Sequence, residues 1–176
     1  VIAMAKKKNM KVMLYSNGIG PLERKGNIKK TKKILDKVDL ITLRDERSYK
    51  TLHEIGIENK DVKVTADPAL DLDIADEKLG KAILKNEGVP SDKKLLGVSV
   101  RKWQNLGSDF ETQIANACDY AYEKYGYYTV FLPMQSSRDT AIMQNIKRKM
   151  KHESAIIKKR YSVEGMLSII KCFDMC

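Results

Sequence analysis

Short apolar runs alternate along the chain with stretches whose apolar positions recur every three or four residues. Lys11-Val12-Met13-Leu14-Tyr15 reads as a buried strand running into the loop Ser16-Asn17-Gly18-Ile19-Gly20-Pro21. A helix follows at about 26–37, with Ile28, Thr31, Leu35 and Val38 on one face and lysines opposite. Asp39–Leu43 is a second strand, ending in Arg44-Asp45-Glu46-Arg47. Ser48 is placed to cap a short helix through Leu52 and Ile55, closed by Gly56. Val62–Thr65 makes a third strand, and Ala66-Asp67-Pro68 ends it, because proline cannot donate to a β-ladder.

Residues 71–92 begin acidic, continue as a helix to about Asn86 and finish in Gly88-Val89-Pro90-Ser91-Asp92, the pattern of a connector. The alternation then restarts. Leu95–Val100 is a strand terminating at Arg101, and Ser108-Asp109-Phe110-Glu111 has the form of a capping box. The helix it opens turns Phe110, Ile114, Ala117, Cys118 and Ala121 inward. Tyr128–Leu132 is a strand stopped by Pro133-Met134-Gln135, and Ser137 caps a basic helix. Ala155–Ile157 is a strand, Ser162 caps a helix to Ile170, and Phe173–Cys176 starts another strand.

Strands alternating with helices predict an α/β fold of Rossmann-like parallel β-α-β units. The expected division is 1–70 as the later part of one unit, 71–92 as connector, and 93–176 as the early part of a second. The apolar starts and stops at both ends lead us to expect an excerpt of a longer protein. Hydrophobic residues make up 43%, enough for a buried core, and no apolar run reaches membrane-span length. Cys118, Cys172 and Cys176 lack CxxC spacing, which fits reduced structural thiols in a cytoplasmic protein, and no metal site is expected.

Charge changes this picture at one place. Residues 1–37 hold eleven Lys/Arg against Glu23 and Asp36, a net +9 out of the total +10. Such a patch is either a solvated helix face or a surface that attracts a polyanion.

The polar residues with chemical potential cluster after strands. They are Asn17-Gly18-Ile19-Gly20, Arg44-Asp45 and Asp67 in the first half, then Arg101, Gln135 and Arg160 in the second. In open parallel sheets these ends line the ligand crevice. Each residue alone is equally a surface or loop-fixing group. Gly18 and Gly20 allow close backbone approach to an anion, although the spacing is not GxGxxG and Pro21 removes a donor. Arg101 suits bidentate binding of carboxylate or phosphate; the alternatives are stacking on Trp103 or pairing with a nearby acid. His53 and His152 have no partners at triad or metal spacing.

Gly18-Ile19-Gly20-Pro21-Leu22, Ile41-Thr42-Leu43-Arg44-Asp45 with Ser48 and Leu52, and Thr65-Ala66-Asp67-Pro68-Ala69 together resemble the polysaccharide pyruvyl transferases, bacterial CsaB type. Gly97–Arg101, Phe131–Gln135 with Asp139, and Ser162 with Glu164 continue the match in order. The resemblance implies a glycosyltransferase-B-like architecture of two Rossmann-like domains with the active site between them. It implies transfer of a pyruvyl group from phosphoenolpyruvate, with no cofactor, to a lipid-linked or polymeric cell-wall sugar, N-acetylmannosamine in the CsaB type. The product is a ketal whose carboxylate anchors surface-layer proteins. Arg101 would then contact phosphoenolpyruvate, with Gly18, Ile19, Gly20, Arg44 and Asp67 on the opposite wall. Gln135 and Glu164 would orient substrate. The family continues past the position of Cys176 into a Gly-x-Arg-x-His segment, so these 176 residues alone are expected to be inactive. Location at the inner face of the membrane, held by the basic patch, and no nucleic-acid partner complete the expectation. The rivals are a nucleotide-sugar glycosyltransferase of the same architecture and a non-enzymatic polyanion-binding module.

Overall fold

A computed structural model describes residues 1–57, 61–73, 75–102 and 107–176, with Ser136 and Ser137 described by backbone alone. It divides into two units, Val1–Leu72 and Asp73–Cys176. The first contains α1 (Ile2–Lys7), β1 (Met13–Asn17), α2 (Lys25–Leu35), β2 (Leu40–Leu43), α3 (Glu46–Glu54) and β3 (Val62–Val64), and ends in a 3₁₀ turn at Pro68–Asp71. Its sheet is parallel in the order β1-β2-β3. β2 lies centrally, so Ile41, Thr42 and Leu43 are all buried and the strand shows no inside–outside alternation. Ile41, Leu43 and Leu52 form the core with Leu35, Val38 and Ile57. Burying such a side chain contributes about 1.5–3 kcal/mol.

One local expectation changes. Ser48 does not cap α3. Asp45 does, accepting the Ser48 N–H at 2.6 Å, which frees the Ser48 hydroxyl for another partner. Strand β1 slips register between Leu14 and Asn17, with Ser16 at φ 47. Thr42 Oγ1 holds this kink by accepting the Ser16 N–H at 2.7 Å. The kink turns the chain immediately before Gly18.

The second unit contains α4 (Glu77–Asn86), β4 (Lys94–Val98), α5 (Phe110–Tyr125), β5 (Tyr127–Phe131), α6 (Ser136–Lys149), β6 (Ser154–Ile156) and α7 (Val163–Lys171). The parallel sheet runs β4-β5-β6. After α7 the chain returns to the free edge of β4, where Met175 pairs parallel with Leu96. Strand order therefore reverses at β4, and such a reversal opens a crevice beyond the carboxyl ends of the strands. The helix inside the 71–92 segment, α4, packs against α7, and Ser168 Oγ accepts the Asp76 N–H at 2.9 Å.

The capping box at α5 does not form. Asp109 occupies the N-cap without a side-chain cap bond, and Glu111 accepts from Asn145 at 3.0 Å, tying α5 to α6. Ala115 is buried and Ala117 exposed, one residue off the expected stripe. The basic helix α6 starts at Ser136 with Gln135 in the N-cap position, so Ser137 is not its cap. Ser162 does cap α7, through the Gly165 N–H at 3.2 Å. No helix among the described residues is long and apolar enough to cross a membrane.

Candidate functional site

In the second unit the site is built around Arg101, just past the end of β4. Asp139 stands in the first turn of α6, and its side chain is only 2% exposed. Its two oxygens accept from Arg101 Nε at 3.1 Å and Nη2 at 3.2 Å, a bidentate pair. The same carboxylate accepts the Gln135 N–H at 2.7 Å, which ties the end of β5 to the start of α6. Arg101 holds the Asp139 carboxyl below the ordinary aspartate range, against the opposing effect of burial, and Asp139 in turn raises the Arg101 guanidinium. The arginine side chain is 50% exposed. A guanidinium carries five N–H donors in a planar fork. The Nε edge is held by Asp139, and among the described residues Nη1 has no hydrogen-bond partner. Pairing with an acid, one alternative in the sequence, is thus realised without consuming the arginine. Trp103, the other proposed partner, lies outside the described residues.

A cavity of about 570 Å³ opens at the carboxyl ends of β5 and β6; Gln135, the Asp139 partner, lines it, and Arg101 and Asp139 do not. Met134, Gln135, Lys159, Arg160, Tyr161 and Met166 contribute to its lining, an apolar floor with a cationic rim. Glu87 fixes the loop that carries those cations. Its carboxylate accepts from the Lys158 N–H (2.8 Å), the Lys159 N–H (3.2 Å) and the Tyr161 hydroxyl (2.7 Å). Burial opposes the Glu87 charge, yet these donors hold its carboxyl below the ordinary value of 4.5. Burial and the Glu87 bond push the Tyr161 hydroxyl up to about 12. A lowered folded-state pKa contributes stability above the unfolded value, which is lost as pH falls through the folded one. Glu87→Ala should therefore lower stability by about 1 kcal/mol at neutral pH, since it removes three hydrogen bonds, two of them solvent-exposed. In thermal unfolding series that deficit should shrink below pH 4.5, as the wild-type carboxylate protonates. Glu164 sits exposed in the first turn of α7 and does not line the cavity.

In the first unit the sheet brings Gly18, Arg44 and Asp67 together at the ends of β1, β2 and β3. Arg44 Nη1 lies 3.3 Å from Asp67 Oδ2, and Arg44 Nε lies 3.6 Å from Asp45 Oδ2. The Arg44 guanidinium crosses Gly18 so closely that a Cβ there would stand 2.8 Å from Nε, and a side chain at this position would require the arginine to shift. The other Asp67 oxygen accepts the Ala69 N–H at 3.0 Å and caps the 3₁₀ turn. Asp67 is thus both strand stopper and arginine partner. Ser16 and Thr65 hydroxyls meet at 3.1 Å alongside. Ile19 plays a packing role: its side chain joins the core, and its N–H goes to Ser48 Oγ at 2.8 Å. Gly20 lies beside Thr51, and α2 begins only at Lys25 with no side-chain cap. The loop therefore does not place a helix N-terminus directly behind the glycines, as a phosphate loop would.

Asp139 is the residue of the candidate site that residue-by-residue reading undervalued. Its signal was an acid four residues after the Gln135 strand end, in the first turn of a helix. His53 packs edge-on against Tyr49, and His152 stacks on Tyr122 and contacts Glu123 at 3.2 Å, so both are accounted for structurally.

The same fold occurs in UDP-N-acetylglucosamine 2-epimerase from Rickettsia bellii, at 13% identity and TM-score 0.61, over 97% of this chain and 45% of that one. UDP-GlcNAc 2-epimerase from Methanocaldococcus jannaschii matches at 15% identity and TM-score 0.62, over 99% and 51%. The wall teichoic acid polymerase TagF matches at 13% identity and TM-score 0.52, over 93% and 44%. The chain spans about half the length of these structures. At such identities the likeness is one of fold: Rossmann-like units of the type found in glycosyltransferase-B-like enzymes and epimerases. No curated protein matches by sequence. A family model described as polysaccharide pyruvyl transferase matches residues 1–176, and on that match over its whole length the chain belongs to the polysaccharide pyruvyl transferase family.

Proposed function

We propose that the protein transfers the enolpyruvyl carbons of phosphoenolpyruvate onto two hydroxyls of a cell-wall sugar, making a cyclic ketal and releasing phosphate. The observation that carries this reading is the Arg101–Asp139 clamp at the strand-order reversal. Phosphoenolpyruvate is a compact, highly charged anion, and an oriented half-exposed guanidinium is the group that fits it. The cationic rim of Lys159 and Arg160 supports the same charge type.

Reaction begins with protonation of the methylene carbon, which makes the central carbon electrophilic. One sugar hydroxyl adds there, the C–O bond to phosphate breaks, and the second hydroxyl closes the ring. One hydroxyl proton replaces that delivered to carbon, and the other leaves with phosphate, so atoms and charge balance. Arg101 stabilises the charge that gathers on the departing phosphate. Asp139 cannot be the proton donor: its carboxyl is held ionised by Arg101 and the Gln135 N–H. The acid must be another group. The Arg44–Asp67 cluster is assigned to substrate hydroxyls, the half-exposed Asp67 carboxylate acting as acceptor. We take the sugar to be N-acetylmannosamine of a secondary cell-wall polysaccharide, as in the CsaB type, and the ketal carboxylate to be the group that anchors surface-layer proteins.

Ligand-dependent melting of the intact protein tests the donor. Phosphoenolpyruvate should raise the melting temperature and a uridine-diphosphate sugar should not, since stabilisation follows selective binding to the folded state. The reverse pattern would favour a nucleotide-sugar glycosyltransferase.

A further inference from the structure

The lysine excess at the start of the chain has no part in the chemistry above. Part of it lies at one corner of the first unit, where Lys6 and Lys11 converge on Asp39, four residues past the end of α2. Lys6 Nζ lies 2.8 Å and Lys11 Nζ 3.4 Å from that carboxylate, which also accepts the Val12 N–H at 2.7 Å. Lys6 foremost holds the Asp39 carboxyl down to about 2. Asp36 pairs with Lys32 at 3.7 Å. The acids of the corner are thereby used. Lys7, Lys8, Lys33 and Lys37 are exposed, and among the described residues no carboxylate lies within ion-pair distance of them.

Cations in the last turn of a helix offset its carboxyl-terminal partial charge. That accounts for Lys6, Lys7, Lys32 and Lys33, which stand in the last turns of α1 and α2, but it does not require Lys8 and Lys37 beyond the helix ends as well. Apolar groups accompany them. α1 buries none of its residues, and Met4 and Met10 are 68% and 55% exposed beside the lysines. We infer that this corner is a contact surface for an anionic lipid bilayer, with the lysines meeting headgroups and the two thioethers entering the acyl boundary. Several lysines around unbranched apolar side chains suit that interface. A nucleic-acid surface would instead call for aromatic platforms or arginines among the lysines, and the two segments that make this corner, residues 1–11 and 32–39, contain neither.

Co-sedimentation of the intact protein with vesicles, one-third phosphatidylglycerol against pure phosphatidylcholine, tests the inference. Each lysine near an anionic surface strengthens partitioning by about a factor of five. The quadruple variant Lys7→Gln/Lys8→Gln/Lys33→Gln/Lys37→Gln should therefore lose on the order of a hundredfold or more in binding to the anionic vesicles. Its folding is checked by circular dichroism. A variant that misfolds leaves a second reading on the wild type, whose binding should fall steeply between low and moderate salt. Met4→Ser/Met10→Ser should weaken the part of binding that survives added salt. Equal sedimentation with neutral vesicles, undiminished binding by a folded quadruple variant, or tighter binding to duplex DNA than to the vesicles at equal salt would overturn the assignment.

Discussion

Arg101→Ala is expected to reduce phosphoenolpyruvate-dependent phosphate release by the intact protein by about 10²–10³-fold, the usual cost of deleting one oriented donor at developing charge. The size follows from preorganisation. Arg101 is already held by two bonds to a buried carboxylate and needs no reorientation when the anion arrives. Arg101→Lys should recover little, because an ammonium supplies no fork to match both Asp139 and substrate. Asp139→Asn should show a different signature. The arginine remains but loses its bidentate anchor, so the Michaelis constant for phosphoenolpyruvate rises and turnover falls by up to about 10²-fold, the scale associated with roughly 1 Å of misplacement. Steady-state kinetics for the three variants separate contact from positioning. An Asp139→Asn enzyme with wild-type constants would reduce Asp139 to an anchor of the β5–α6 turn.

The largest effect on stability is expected from Gly80→Ala, a net loss of up to about 2 kcal/mol in urea unfolding. Two terms compete. Alanine in a helix interior gains about 1 kcal/mol over glycine. Here, however, an added Cβ would stand 2.1 Å from the Ser168 carbonyl oxygen and 2.7 Å from Cys172 Sγ. The first neighbour is backbone of α7 and cannot swing away, so α4 must lift off and give up packing. Overpacking of this kind costs about 1–3 kcal/mol and at times more, which outweighs the propensity gain. Gly26 in α2 is the matched control. Nothing lies within 4 Å of its added Cβ, and Gly26→Ala should be neutral or stabilising by about 0.5 kcal/mol. Because α7 also lines the cavity that Gln135 and Arg160 border, Gly80→Ala should weaken ligand-induced stabilisation as well.

Element types and their order were legible because each apolar run had a single reading: β2 and β5 are too short for helices and too uniformly apolar for surface strands. Element ends were less legible, and the reason is specific. Ser48, Ser137 and the Ser108–Glu111 box are good caps by residue type, but capping depends on where the backbone leaves the strand. In each case a neighbouring acid or an earlier turn took the position, as Asp45 did at α3. For the candidate site, strand-end placement correctly drew Gly18, Arg44 and Asp67 to one sheet edge. It did not reveal that Asp139 reaches back to Arg101, because that contact spans separate elements and no local periodicity encodes it. The Ser16 kink was equally hidden, since serine is not a residue type that announces a positive φ.

Incubation of the intact protein with phosphoenolpyruvate and an N-acetylmannosamine-containing acceptor, with the acceptor weighed by mass spectrometry, tests the central claim most directly. A pyruvyl mass gain in the acceptor, matched by phosphate release and lost in Arg101→Ala, is the predicted result. A gain that persists undiminished in Arg101→Ala would contradict the role given to the clamp, and no gain with any cell-wall sugar would contradict the proposed reaction.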